Sequence, residues 1–227
     1  NNVCVRARAG FGIAKRRAGN RARKEMSKTA VRQPKQERSI ETKNKIIQAG
    51  YELFSENGYY GTTTQDIAKR AGVSTGIVYG YFEDKRDILA CVLHIYIKDV
   101  SEPLMAIMSE TTAPVNVISV TRSIIDKTIE LHGQNANLHN VLHSLAPSDE
   151  LVQQEFMTLE NHVTLNMSKR LKELGVNCDD MNEKVHLAMN VIQSFAHEFV
   201  FDKHQYIDYG AMRSIVEKVV AELFKQD

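Results

Sequence analysis

Residues 62–89 read TTTQDIAKRAGVSTGIVYGYFEDKRDIL. Thr63 or Thr64 can start a short helix running through Gln65, Ile67, Ala68 and Arg70, because a threonine hydroxyl accepts from an amide that the first turn leaves unpaired. Ala71-Gly72 ends that helix, and after only a few residues Ser74 can cap another. In this second helix Val78 and Phe82 stand four apart and face inward with Ile67, Ala68, Ala71 and Val73. Two short helices joined by a tight glycine-bearing turn form a helix-turn-helix. Gly72 supplies the positive φ of such a turn, and Ala68 and Ala71 are small enough for the helices to cross closely. With Val78 and Phe82 committed to the core, Thr75, Gly76, Ile77, Tyr79, Gly80 and Tyr81 remain on the outer faces, at positions that enter the DNA major groove in this motif. Hydroxyls there can meet bases or phosphates, Ile77 can meet a thymine methyl, and the two glycines let backbone approach. The face has no arginine, so bidentate guanine reading is not expected of it.

The pattern on either side is helical. From Glu37 onward Ile46, Ile47, Ala49, Gly50, Leu53 and Phe54 recur at helical spacing with charged residues between, and Asn57-Gly58 stops the helix. After Phe82, Asp84 can cap a helix with Ile88, Leu89, Val92, Leu93, Ile95 and Tyr96 as its apolar stripe. Pro103 should kink or end that helix, with residues 111–114 as the firmer stop. Further helical segments are predicted over 115–132, 135–145, 148–174, 180–203 and 208–225, with breaks at Gly133, Pro147, Gly175 and Tyr209-Gly210. No strand alternation or internal repeat stands out. The expected architecture is all-α: residues 1–36 a basic extension and arm, 37–86 a three-helix helix-turn-helix domain, and 87–227 a second helical domain.

Composition narrows the function classes. The chain has 227 residues, 43% hydrophobic and 25% charged, as in ordinary globular proteins. Its net charge of +1 hides an asymmetry. Residues 1–26 carry eight Arg and Lys against one Glu, 27–86 ten against seven acids, and 87–227 eleven against twenty. A basic amino-terminal part suits a nucleic-acid surface at one end. The three cysteines, Cys4, Cys91 and Cys178, are far apart and form no CxxC, which fits a reducing, cytoplasmic setting rather than a disulfide scaffold. The longest uncharged apolar run, Ile88 to Ile97, is half of the ~20 residues a membrane span needs. The first 25 residues are Arg-rich and without periodicity, and Met26 is expected to be the native start.

The residues of 62–89 carry a resemblance. The stretch is similar to the DNA-binding signature of the tetracycline-repressor (TetR/AcrR) family of bacterial regulators, T-x-x-x-I-A-x-x-A-G-V-S-x-G-x-x-Y-x-Y-F-x-x-K-x-x-L. Thr63, Ile67, Ala68, Ala71, Gly72, Val73, Ser74, Gly76, Tyr79, Tyr81, Phe82, Lys85 and Leu89 match it. The resemblance covers about 50 residues, roughly Ser39 to Leu89. It implies DNA contacts at Thr64, Gln65, Ser74, Thr75, Gly76, Ile77, Tyr79, Gly80 and Tyr81, with the Lys85 ammonium on a phosphate and arm contacts from Lys35 and Arg38. Ordinary helix packing for the tyrosines and a solvated charge for Lys85 are the competing readings.

The same resemblance implies a homodimer on a palindromic double-stranded operator and a small-molecule effector in the second domain. Wide apolar stripes on the last two helices suit dimerisation, with Ile192, Phe199, Ile215, Val219 and Leu223 as candidates. Phe156, Met157, Met167, Met189 and Phe195, with His94, His162 and His186 to orient a ligand, are candidates for a hydrophobic effector pocket. His139 and His143 are an i, i+4 pair with His132 seven residues before, a spacing that can surround a metal, although interhelix histidines fit it as well. No HExxH, GxSxG, P-loop or strand-borne GxGxxG occurs, so neither an enzyme nor a cofactor is expected. The reading is a ligand-released repressor. A helical ligand-binding module that reads no operator and a metal-responsive regulator are its alternatives.

Overall fold

A computed structural model describes residues 35–225, whose regular elements are all α-helices, with no strand among them. The helices are α1 Lys35–Asn57, α2 Thr64–Ala71, α3 Thr75–Tyr81, α4 Lys85–Glu110, α5 Val117–Gln134, α6 Ala136–Leu145, α7 Glu150–Glu173, α8 Met181–Phe201 and α9 Tyr209–Leu223. The expectations for residues 1–34, including the Met26 start and Cys4, lie outside the described part, as does the side chain of Lys35. Two compact units divide between Val92 and Leu93. That boundary falls six residues after the sequence reading placed it, because Ile88 and Val92 of α4 pack back against α1 around Gly50.

In the first unit, α1 buries Ile46, Ile47, Ala49, Leu53 and Phe54, the stripe its spacing predicts. At Gly50 α4 comes close: a Cβ there would sit 2.6 Å from Ile88 Cγ2. Helix α2 is closed at both ends by its own residues. Thr63 accepts from the Asp66 amide while Asp66 accepts from the Thr63 amide, a reciprocal cap. At the other end Gly72 has φ +70°, and the amides of Gly72 and Val73 donate to the carbonyls of Lys69 and Ala68. Ser74 accepts from the Ile77 amide to start α3, and Val78 and Phe82 are buried with Ile67 and Ala68. The helix-turn-helix thus forms as its residues predict. Arg70 of α2 also reaches Glu52 and Glu56 on α1, an exposed fork that water screens and that adds little to stability.

The second unit departs from expectation at three places. Pro103 lies inside α4 and does not end it. The carbonyl its ring leaves without an amide is that of Asp99, an exposed residue, so water can satisfy it. The helix stops at Glu110, directly before the stop expected at 111–114, where Arg170 of α7 donates to the Met108 and Thr111 carbonyls and takes over from the missing helical amides. Gly133, expected as a break, is one residue from the end of α5, which runs to Gln134. Tyr209-Gly210 opens α9 rather than breaking the chain, because the Asp208 carboxylate accepts from the Gly210 and Ala211 amides.

Its core joins Leu104, Met108, Ile124, Ile125, Val163, Met167, Val185, Ala188, Ile192, Phe195, Val216 and Val220. Across α5 and α9, Glu217 receives Arg122 through two hydrogen bonds of 3.1 and 2.8 Å and Arg213 through one of 3.1 Å. Arg213 reaches Asp126 as well. No described helix is long and apolar enough to cross a membrane.

Candidate functional site

The outer face of α3 is bare. Ile77 is 43% and Tyr79 53% exposed, Gly76 and Gly80 lie open beside them, and Thr75 is half-buried next to the Ser74 cap. An isoleucine and a tyrosine exposed together on a seven-residue helix need a reason, since burial of such side chains is worth about 1.5–3 kcal/mol each. Gln65 is exposed at the start of α2, Thr64 is half-buried there, and Arg38 is exposed on the first turns of α1. These residues occupy one end of a helix-turn-helix, and the hydroxyls, amides and apolar tips they present suit phosphates and base edges.

Tyr81 and Lys85 behave differently from the rest. Tyr81 is half-buried, with its hydroxyl 3.1 Å from Ser39 Oγ on α1. Lys85 Nζ donates to the carbonyls of Tyr59 (2.7 Å) and Thr62 (2.8 Å) and lies 4.2 Å above the Tyr59 ring. Its partial burial pushes the ammonium pKa down. The ammonium expected on a phosphate is therefore largely committed to the loop between α1 and α2, leaving one of its three N–H groups. Its structural work is to fasten that loop to the start of α4.

Within the second unit a cavity of about 170 Å³ lies among α4, α5, α6, α7 and α8. Its buried floor includes Tyr96, Thr128, Leu131, His132, His139, Val163, Thr164 and Met189, and exposed His143, Glu160, His186 and Asn190 mark its mouth. Of the eight expected pocket residues, Phe156, His186 and Met189 line it. Met167 lines a separate apolar cavity of about 40 Å³. Phe195 is core, while His94, His162 and the 55%-exposed Met157 point to solvent, because the wide stripe of each helix has more apolar positions than the cavity has wall.

The sequence reading missed Tyr96, Thr128, His132 and His139 as cavity residues. The signal was the histidine spacing itself, which it weighed as a metal site and as surface or interhelix histidines, not as the wall of a cavity. The rings cluster at a tilt: centroids lie 4.3 Å apart at 48° for His132 and His139 and 4.1 Å apart at 39° for His139 and His143. Among the described residues no group of three His, Cys, Asp or Glu is disposed to hold a metal ion. Burial, reinforced by His143, His132 and His197, pushes the His139 pKa down to about 2, and burial lowers that of His132 too, so both imidazoles are neutral at pH 7.

Of the expected dimer residues, Ile215 (60%) and Val219 (45%) are exposed on α9 and Leu223 is half-buried; Leu187 on α8, which the sequence reading did not name, is half exposed. Ile192 is not on that surface. It is 1% exposed and belongs to the unit's own core. Phe199 is likewise engaged within the chain, against Phe195 and Tyr209 with Lys203 Nζ 3.6 Å above its ring.

Residues 46–92 match the profile of bacterial regulatory proteins of the tetR family. The transcriptional regulator HbdR of Aromatoleum sp. (strain CIB) is 55% identical over 53 residues, 23% of each chain. AcrR of Shigella flexneri is 31% identical over 100 residues, 44% of this chain and 45% of that one. These matches therefore span less than half of the curated relatives' length. Among solved structures, one from Mesorhizobium loti MAFF303099 assigned to the TetR family superposes with a TM-score of 0.66 at 17% identity, over 82% of this chain and 96% of that one. Salmonella enterica GusR does so at 0.62 and 15%, over 82% and 96%. The relatives are named as regulators rather than enzymes, and the helix-turn-helix stands where the profile matches, so that over residues 46–92 the chain is similar to the tetR family of bacterial regulatory proteins.

Proposed function

We propose that this chain is a DNA-binding transcriptional repressor that grips a palindromic operator as a homodimer and is released by a small-molecule effector held in the cavity of its second unit. The observation that carries the reading is the face of α3, where Ile77 and Tyr79 stand exposed beside Thr75, Gly76 and Gly80 directly after the Gly72 turn. DNA contact explains an exposed apolar and aromatic face on a helix whose other side is fully used. The exposed apolar residues of α9 support a second copy as partner, and a two-fold dimer matches a two-fold operator. Release requires the effector to prefer the state that does not bind DNA. A ~100-fold preference corresponds to about 2.7 kcal/mol of coupling, and tight but indifferent binding releases nothing.

The test is a footprint and binding isotherm on DNA upstream of the chain's own gene, at two salt concentrations, with Tyr79→Ala as the control. Tyr79 is exposed, so its truncation should leave stability within about 0.5 kcal/mol while weakening protection of a palindrome at least tenfold. Lys85→Ala is a poor control, because it also frees the Tyr59 and Thr62 carbonyls. Binding that is only salt-sensitive, with no protected site, would reduce the reading to phosphate attraction. A ligand-binding chain with no operator would favour the module without DNA reading.

A further inference from the structure

The floor of the cavity holds two imidazoles whose partners fix opposite proton inventories. His132 Nδ1 lies 2.8 Å from the Thr128 carbonyl oxygen, which can only accept, so Nδ1 carries the proton and Nε2 is a bare lone pair. His139 Nδ1 lies 2.7 Å from the Tyr96 hydroxyl. A phenol is a far stronger acid than a neutral imidazole N–H, so the hydroxyl donates and the His139 proton sits on Nε2. That nitrogen is buried and without a hydrogen-bond partner. One donor and one acceptor thus stand side by side on rings 4.3 Å apart, tilted by 48°, and do not bond to each other.

We propose that the cavity takes a compact, neutral molecule through a hydroxyl group, which accepts from His139 Nε2–H and donates to His132 Nε2; this rests on the reading of the cavity as the effector site. A hydroxyl oxygen serves both directions through one atom, which a ketone, an ether or a hydrocarbon cannot do. Charge is excluded from the floor: no Lys or Arg lines the cavity, both floor imidazoles are neutral, and the Glu160 carboxylate stands at the mouth. A carboxylate ligand would be buried unpaired. Size sets the rest, since an apolar cavity of roughly 150 Å³ accommodates benzene and this one is about 170 Å³. The ligand is of the size of a single substituted ring, a phenol or a cyclic alcohol. Because His139 Nε2 is buried, a neighbouring side chain has to move for the oxygen to reach it, and His143, exposed at the mouth with its ring 4.1 Å from that of His139, is a neighbour free to do so.

The test is calorimetric titration of the full chain with phenol, anisole, toluene, benzoate and Zn²⁺, without DNA, with ¹⁵N NMR of the imidazoles. Phenol should bind at least tenfold more tightly than anisole or toluene, about 1.4 kcal/mol. Its binding should move the His139 Nε2–H resonance while His132 keeps its proton on Nδ1. His132→Phe, which keeps a ring in place, should bring phenol to within twofold of toluene. If that variant does not fold, the wild-type series and the resonances decide. Equal binding of phenol and toluene, a preference for benzoate or Zn²⁺, or an unmoved His139 resonance would overturn the proposal. Phenol binding that leaves operator protection unchanged would uphold the hydroxyl site and remove its role as the effector site, so the two readings fail separately.

Discussion

Glu217 is the sole buried carboxylate among the described residues, and it survives burial because two guanidinium groups reach it. The hydrogen bonds from Arg122, then those from Arg213, hold its carboxyl below the ordinary carboxylate range. A pKa lowered by folding means that the ionised form stabilises the fold. That stabilisation is complete above the ordinary glutamate pKa of about 4.3 and is lost as pH falls through the lower folded value. Urea unfolding should therefore show the second unit weakening below about pH 4.3. Glu217→Gln should cost about 1–3 kcal/mol at pH 7 and remove part of that acid dependence; an unchanged acid profile in the variant would refute the assignment. The figure is below that for a fully buried pair because Arg122 is more than half exposed. Nothing in the sequence announced this residue. Glu217 and Arg122 are 95 positions apart, whereas Thr63, Gly72 and Ser74 were legible because each acts on amides or carbonyls within five residues.

Helix boundaries in the first unit follow from such local chemistry, and those in the second unit depend on partners that periodicity does not reveal. Pro103 and Gly133 look like breaks in isolation, but α4 continues until Arg170 of α7 takes its last carbonyls, and α5 continues past Gly133 to Gln134. The crossing of α1 and α4 was partly readable, since Gly50 lies in the apolar stripe, but its reason is spatial. Gly50→Ala gains about 0.8–1 kcal/mol of helix propensity and places a methyl 2.6 Å from Ile88 Cγ2, an overpacking that costs about 1–3 kcal/mol. A net loss of about 1 kcal/mol is expected in a thermal melt of the chain. Adding Ile88→Leu, which takes the branch off Cβ, should recover most of it. A variant at least as stable as the parent would mean the helices part at little cost.

For the whole chain, the proposed dimer would put the exposed α9 residues to use. Ile215→Glu should leave the thermal midpoint nearly unchanged, because the side chain is 60% exposed. The same change should convert a dimer to a monomer in sedimentation velocity and abolish protection of a palindrome. A variant that still sediments as the parent does would place the partner elsewhere. The candidate DNA face was legible as a set because one short motif contains it. The cavity was not, because its floor is assembled from α4, α5, α6, α7 and α8, elements spread over nearly a hundred positions, from Tyr96 to Met189. The same difference in range has a consequence in time. Side-chain ties of the first unit, as between Thr62 and Leu53, Lys85 and Tyr59 or Ser39 and Tyr81, close over 9, 26 and 42 residues. Arg122 is made 95 residues before Glu217, which at translation speeds of roughly 5–20 residues per second is a wait of about 5–20 s. On the ribosome, the helix-turn-helix can finish while the cavity still lacks the last helix of its unit.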